Sequence, residues 1–157
     1  MVMSDRIALL RGGHLEQIAT PREIYSRPAT AYVAQFIGHT NLLRGEVSRG
    51  IARCESLTWP VQLPDGQAAF SLRPENVRIA TAGASNVVRF NGCIVHQAFH
   101  GATELLRVEG ADGLTFVVRV TGGTNGVGDN LNLEFEADDA VPVRDAAIPA
   151  KDTEAGA

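Results

Sequence analysis

Four histidines, two cysteines and one Arg-Pro-Glu run are the places where this sequence can carry chemistry. His96 and His100 lie four residues apart, and on a strand that spacing puts both side chains on one face. Imidazole is a common metal ligand, but a metal would also need His14, His39 or Cys93 to converge from elsewhere. No spacing demands that, so no metal site is assigned. Arg73-Pro74-Glu75 sets a cation and a carboxylate on either side of a residue with no backbone donor. It reads in two ways. It is a contact surface that pairs with a second copy or gates a ligand, or it is a strand-ending turn. In the second reading Pro74 stops ladder pairing and the two charges anchor neighbouring backbone. Exposed ion pairs contribute little, which favours the turn. Gly122 to Gly128 is glycine-rich but opens no helix, so it reads as a hairpin loop rather than a phosphate cradle. No nucleophile elbow and no paired-carboxylate pattern stands in the chain. It also has no G-x-x-x-x-G-K-[ST] loop to hold a nucleotide's phosphates.

The elements that position these residues begin with the most strongly patterned stretch, Thr20 to Asn41. Thr20 can cap the first turn of a helix, and Glu23 can reach back to close a capping box. Pro21 suits the first helical position. Pro28 disfavours helical backbone at Arg27, so this helix is short. A second helix is predicted from Ala29 to Ile37. Its apolar residues Ala29, Tyr32, Val33, Phe36 and Ile37 follow the spacing of one buried face. Gly38 stands where a left-handed C-terminal cap is expected. Before the helices, Ile7 to Leu10 and Leu15 to Ile18 flank a Gly12-Gly13 turn and read as a hairpin. Two strands alone cannot cover both faces, so the hairpin needs something to rest on.

From Leu42 the period becomes strand-like. Strands are predicted at 42–47, 51–57, 59–63, 67–72 and 77–80. Others are predicted at 87–99, with a bulge at Gly92, and at 103–108, 114–120 and 131–135. Residues 81–86 read as a loose segment. Many short strands at this spacing indicate a small antiparallel barrel or sandwich. The small, polar, Ala- and Gly-containing stretch 146–157 reads as a disordered tail.

The composition fits that outline. The chain has 157 residues, 45% hydrophobic and 20% charged, which suits one domain plus a smaller fragment. A net charge of −4 with only 6% aromatics argues against a nucleic-acid groove. Cys54 and Cys93 read as reduced, buried core residues rather than a disulfide framework. No apolar run approaches the roughly 18 residues that span a membrane, and Met1 to Arg6 is unlike a secretory signal. A soluble, cytoplasmic protein is expected.

The residues also resemble a known family. Asp5-Arg6-Ile7, then Thr20-Pro21, Glu23-Ile24-Tyr25 and Pro28, then Phe36-Ile37-Gly38 and Asn41 follow one pattern. It is similar to the C-terminal end of the ATP-binding subunit of bacterial ABC importers for polyamines, iron, sulfate or sugars. Ser71 to Val77, built on Arg73-Pro74-Glu75, resembles the R-P-E motif of the accessory TOBE domain. Phe99-His100-Gly101 and Val127-Gly128-Asp129 resemble its later part, His100 departing from the small or apolar residue usual there.

The resemblance spans residues 4–140. It implies a mainly β chain: an OB-like TOBE barrel over 41–145, preceded over 1–40 by a hairpin and two short helices of the ATPase domain. The family's nucleotide-binding loop, signature loop and acidic strand end are missing, so the chain is expected not to hydrolyse ATP. ATP and magnesium belong to the full-length family, and no cofactor is assigned here. The expected role is accessory: to support subunit dimerisation and respond to a small ligand. Membrane subunits would be the partners, at the cytoplasmic side of the inner membrane, with no nucleic acid. The alternative is a free-standing barrel that binds a small oxyanion or oligosaccharide. The family motif supplies Thr20, Pro21, Glu23, Tyr25, Pro28, Phe36, Gly38, Asn41, Arg73, Pro74 and Glu75 as structural or interface residues. Without the usual cover of its apolar side chains and strand edges, the chain is expected to self-associate through its N-terminal end, the barrel, or both.

Overall fold

The computed structural model describes residues 5–146, so the expected tail lies outside the described residues from position 147 onward. The chain enters as the predicted hairpin, β1 (Ile7–Arg11) and β2 (His14–Ala19). Gly12 and Gly13 turn it with φ of 56° and 80°, a conformation glycine adopts without steric cost. The hairpin rests on the two helices: Leu9 packs with Ile24 and Val33 in a small core of their own.

The first helix, α1 (Pro21–Ser26), starts as its residues predict. Thr20 Oγ1 accepts from the Glu23 amide at 3.3 Å, and Glu23 Oε2 accepts from the Thr20 amide at 3.0 Å. The Thr20 amide and the Thr20 hydroxyl, the latter at 2.9 Å, both donate to Glu23 Oε2 and hold the Glu23 carboxyl below its ordinary pKa. The second, α2 (Ala31–Ile37), ends at Ile37 as predicted but departs from expectation in its start and in the residue after it. It starts at Ala31 rather than Ala29, because Thr30 is its cap, Oγ1 accepting from the Val33 amide at 3.2 Å. Its buried stripe is Ala31, Val33 and Ala34, while Phe36 is exposed. Ala31 packs with Ala69 and Val143, so small side chains let the helix lie close against a sheet. Gly38 is extended, with φ of 170°, rather than left-handed. The chain runs from α2 directly into a strand.

That strand, β3 (Asn41–Ser48), opens the β part. It is followed by β4 (Ile51–Cys54), β5 (Leu57–Pro60), β6 (Gly66–Leu72) and β7 (Arg78–Ile79). Then come β8 (Val87–His100), β9 (Thr103–Gly110), β10 (Thr115–Thr121), β11 (Asn130–Glu136) and β12 (Val141–Val143). They make two five-stranded antiparallel sheets, β12-β6-β3-β4-β5 and β10-β9-β8-β11-β7, wrapped around one core. The chain is therefore mainly β with two short helices, an OB-like arrangement. Trp59 sits at the centre, edge-on to Phe70 at 5.0 Å and to Phe135 at 5.9 Å, and Phe90 stacks on Phe116 at 4.3 Å. Cys54 is buried, its thiol pushed up to about 11 by that burial, and Cys93 is half-buried; both are free thiols.

The strand assignments change at four points. The run 51–57 is broken at Glu55 and Ser56, where Glu55 has φ of 51° and Asp112 accepts from the Ser56 amide at 3.2 Å. The next strand is consequently Leu57–Pro60 rather than 59–63. The bulge of β8 lies between Ile94 and His96, not at Gly92. Gly92 is regularly paired on both sides, with Gly110 and Leu131. It is glycine because an added Cβ would stand 2.3 Å from Val108 Cγ1. β12 has no counterpart among the predicted strands, since Pro142 interrupts its short pattern.

Glu134 is fully buried on β11, yet it is ionised. Burial alone would raise its pKa, but Arg78 Nε at 3.0 Å, Arg89 Nε at 3.2 Å and Thr81 Oγ1 at 3.3 Å all donate to it. The net shift is below the ordinary 4.5. A carboxyl with a lowered folded pKa adds stability above its unfolded value and loses it as pH falls through the folded one. In thermal melts between about pH 5 and about pH 3, the native chain should therefore lose more stability than Glu134→Gln. Parallel acid limbs for the two would refute this account.

Gly45 on β3 crosses even closer to its neighbour. An added Cβ would lie 2.0 Å from the Arg53 carbonyl oxygen and 2.7 Å from Cys54 Sγ. Backbone cannot swing aside, so Gly45→Ala should cost roughly 1–3 kcal/mol or more in denaturant unfolding. Gly126→Ala, with nothing within 4 Å of its added Cβ, should stay within about 0.5 kcal/mol.

Candidate functional site

Arg73 is the last residue before the 3-10 turn Pro74–Asn76 at the end of β6, and its side chain points back to the helices. It is a charged group only 5% exposed, so it must be fully supplied with acceptors. Nε and Nη2 both donate to the Tyr25 carbonyl, at 3.2 and 3.0 Å. Nη1 donates to Ala34 O at 2.9 Å, to His39 O at 3.0 Å and to Gly38 O at 3.4 Å. These carbonyls sit in the last turn of α1 and in and beyond the last turn of α2, where helix ends leave acceptors free and attract a cation. One guanidinium thus closes both helices against the β part.

The Tyr25 ring completes the clamp. Arg73 Cζ lies 4.3 Å from its centroid, a cation–π contact sheltered from solvent. The Tyr25 hydroxyl donates to Glu75 Oε1, and Arg119 Nη1 on β10 lies 3.8 Å from Glu75 Oε2. Burial first, then the hydrogen bond to Glu75, raise the Tyr25 phenol above its ordinary pKa. Burial pulls Arg73 down, against the pull of Tyr25 and Glu75. Pro74 is buried beneath the turn, whose Asn76 amide donates to the Arg73 carbonyl at 3.0 Å.

Asn41 forms a second joint. Its buried amide donates to Val117 O at 2.9 Å and accepts from Val117 N at 2.7 Å. The side chain takes the place of a paired strand and links β3 of one sheet to β10 of the other. A third tie is the parallel bridge of Thr30 with Arg144, where Ala31 N donates to Arg144 O at 2.8 Å and Arg144 N to Ala29 O at 3.0 Å.

The structure therefore brings Tyr25, Gly38, Arg73, Pro74 and Glu75 to one joint and places Asn41 at the seam beside it. Thr20, Pro21 and Glu23 shape the start of α1, and Pro28 is buried between the helices. Phe36 stands apart on the solvent side, beside Tyr32 at 5.9 Å. Sequence reasoning missed Arg119 and Val117, which no local spacing marks. It also missed Gln17, whose side chain donates to Arg27 O at 3.0 Å and accepts from Ala29 N at 2.8 Å across the break at Pro28. His14, His39, His96 and His100 are all exposed, and no group of three metal-ligating side chains occurs among the described residues. The glycine-rich run is the β10–β11 loop, held where the Gly126 amide donates to Asp129 Oδ2 at 2.8 Å.

Against known families, the TOBE domain matches residues 70–143, from the middle of β6 through the Arg73 turn to the end of β12. Residues 70–143 carry a TOBE domain, as the C-terminal regions of ABC importer ATP-binding subunits do. It is 33% identical to the sn-glycerol-3-phosphate import ATP-binding protein UgpC of Brucella abortus, over 88% of this chain and 40% of that protein. It is 35% identical to the spermidine/putrescine import ATP-binding protein PotA of Thermobifida fusca, over 75% of this chain and 34% of that one. With the sulfate/thiosulfate import ATP-binding protein CysA of Bordetella pertussis the figures are 38% identity, 53% of this chain and 25% of the relative. The chain thus spans at most about two-fifths of the curated relatives named here, corresponding to their C-terminal regions.

The clamp makes a definite prediction. Charged hydrogen bonds are worth ~1.5–3 kcal/mol each without being additive, so Arg73→Ala should cost about 3 kcal/mol or more. Arg73→Lys should recover only part of that, because an ammonium cannot reproduce the flat fork. By hydrogen exchange, amides of 21–38 should lose protection before those of β8 to β11, and Trp59 emission should remain that of a buried indole. Simultaneous loss in both regions would show that the clamp does not act at the joint.

Proposed function

We propose that this chain serves as a non-catalytic accessory region of an ABC importer ATP-binding subunit. Its β part would support the association of two subunits and respond to a small ligand. The observation that carries the reading is the Arg73 clamp, a rigid buried link between the TOBE domain and the helices that precede it. Such a link suits a part whose job is to hold or report orientation. Cargo choice fits it poorly: the relatives are named for sn-glycerol-3-phosphate, for spermidine and putrescine, and for sulfate and thiosulfate, yet all align with this chain. A region shared by importers of anions and of cations is unsuited to selecting between them.

Association is favoured by the N-terminal end. Leu10 is 61% exposed, Leu15 56% and Phe36 66%, and Leu10 and Leu15 stand opposite each other in the hairpin ladder. Large apolar side chains left this open mark contact surfaces. In the full-length subunit they would meet the nucleotide-binding part, and the assembly would work beside membrane subunits on the cytoplasmic side. No helix among the described residues is itself long and apolar enough to cross a membrane.

Light scattering over a concentration series should show self-association of the chain, weakened by Phe36→Ser together with Leu10→Ser. A strictly monomeric species at high concentration would remove the association part of the proposal. Calorimetry with ATP and magnesium should give no heat of binding, and micromolar affinity would overturn the non-catalytic assignment.

A further inference from the structure

A groove of about 1090 Å³ lies between the hairpin, the start of α2 and the β6–β12 side of the sheet. That is the scale of a small-molecule site. Its charges are not balanced. Arg44 is engaged by Asp145, with Nε 2.5 Å from Oδ2, and Glu16 accepts from Thr30 Oγ1 at 3.0 Å. Two guanidiniums remain on the rim. Arg11 lies over the Tyr32 ring, 4.7 Å from its centroid, with no carboxylate against it among the described residues. Arg144 is exposed and likewise makes no ion pair among the described residues. Three guanidiniums (Arg11, Arg44 and Arg144) against the Glu16 and Asp145 carboxylates give the lining a net charge of +1 in a chain of net charge −4, which favours an anion. Its floor is apolar, with Leu63 and Val143 among the lining side chains.

We infer that this groove binds a small organic anion, its phosphate or carboxylate held by Arg11 and Arg144 and its uncharged body lying on Leu63 and Val143. Planar guanidiniums pair with both headgroups through two parallel N–H donors. The inference rests on the ligand-response part of the proposed function and gives it a place. The position matters as much as the affinity. Arg144 is the residue whose backbone ties β12 to Ala29 and Ala31, so an occupant touches both sides of the joint. A ligand that contacts two packed elements at once favours the arrangement in which they are together.

The test is titration of the full chain with hexyl phosphate and hexanoate, followed by amide chemical shifts and calorimetry. One or both should bind, with shifts centred on Thr30 to Tyr32 and on Val143 and Arg144. Hexanol and inorganic phosphate, each lacking one half of the ligand, should bind at least about tenfold more weakly, a difference of ~1.4 kcal/mol. Arg11→Ala combined with Arg144→Ala should weaken the better ligand by at least about tenfold, whereas Arg107→Ala on β9, outside the groove, should leave it unchanged. A chain ending at Ala146 should bind as well as the whole. Failure of both anions to bind, equal binding of hexanol, indifference to the double substitution, or loss of binding in the shortened chain would each overturn the assignment. Self-association is measured separately, so its absence would not imitate any of these results.

Discussion

A guanidinium that leaves water must find acceptors for its donors, and this requirement at Arg73 organises the molecule. The β part can hardly provide them, because most of its carbonyls are committed to ladders. Helix C-termini can, since the last carbonyls of a helix have no partner within it. Two short helices ending at the same place therefore solve the arginine's problem, and the arginine solves theirs. Neither is comfortable alone. α1 and α2 have six and seven residues, too few to be stable in water without tertiary support. Pro28 fixes the break between them, and Gln17 bridges that break by answering one donor and one acceptor of the exposed backbone.

The same economy appears where the two sheets meet. Their ladders are not continuous, so β10 presents an edge with unpaired amides and carbonyls. Asn41 answers one residue of that edge with a side chain that carries both a donor and an acceptor in the spacing of a peptide group. An aspartate there would face the Val117 carbonyl with a second acceptor, and an alanine would leave two buried polar atoms unpaired. Elsewhere the curvature depends on missing side chains: Gly45 and Gly92 lie where neighbouring chain or side chains pass too near for a Cβ. Closure of the barrel thus rests on one amide and two glycines as much as on the aromatic core.

What the sequence made legible follows from range. The hairpin, the capping box of α1 and most strands are set by residues within a turn or two of each other, and they stand where the pattern puts them. The bulge of β8 was misplaced because a glycine in a strand signals either a bend or a close approach, and only the partner strand decides which. The face of α2 is legible in part. Val33 is buried and Tyr32 and Ile37 pack on the hairpin core as the spacing favours, but Phe36 is exposed, and it is the small Ala31 that meets Ala69 and Val143. The joint was half visible. Arg73, Pro74, Glu75 and Tyr25 stand out in the sequence as motif residues, and the anchoring of backbone by Arg73 is one of the two readings that the run allows. Arg119 and Val117 lie 44 and 76 positions from their partners Glu75 and Asn41, beyond the reach of any local rule.

The nature of the clamp decides what kind of motion the joint allows. A lysine would hold the helices by a single flexible point and let them rotate about it. Arg73 holds three separate stretches of backbone in one plane, and the Tyr25 ring lies against that plane, so rotation of either helix breaks hydrogen bonds that water cannot quickly replace. The hairpin moves with the helices, because Leu9 shares their core with Ile24 and Val33. The Thr30–Arg144 bridge resists separation along a second line. With two separate ties, the helices have little freedom to turn against the β part. Any reorientation must then either break the clamp outright or carry hairpin, helices and barrel together as one body. The second costs no buried hydrogen bond, so a load on the exposed leucines of the hairpin reaches the barrel through Arg73 and the Thr30–Arg144 bridge.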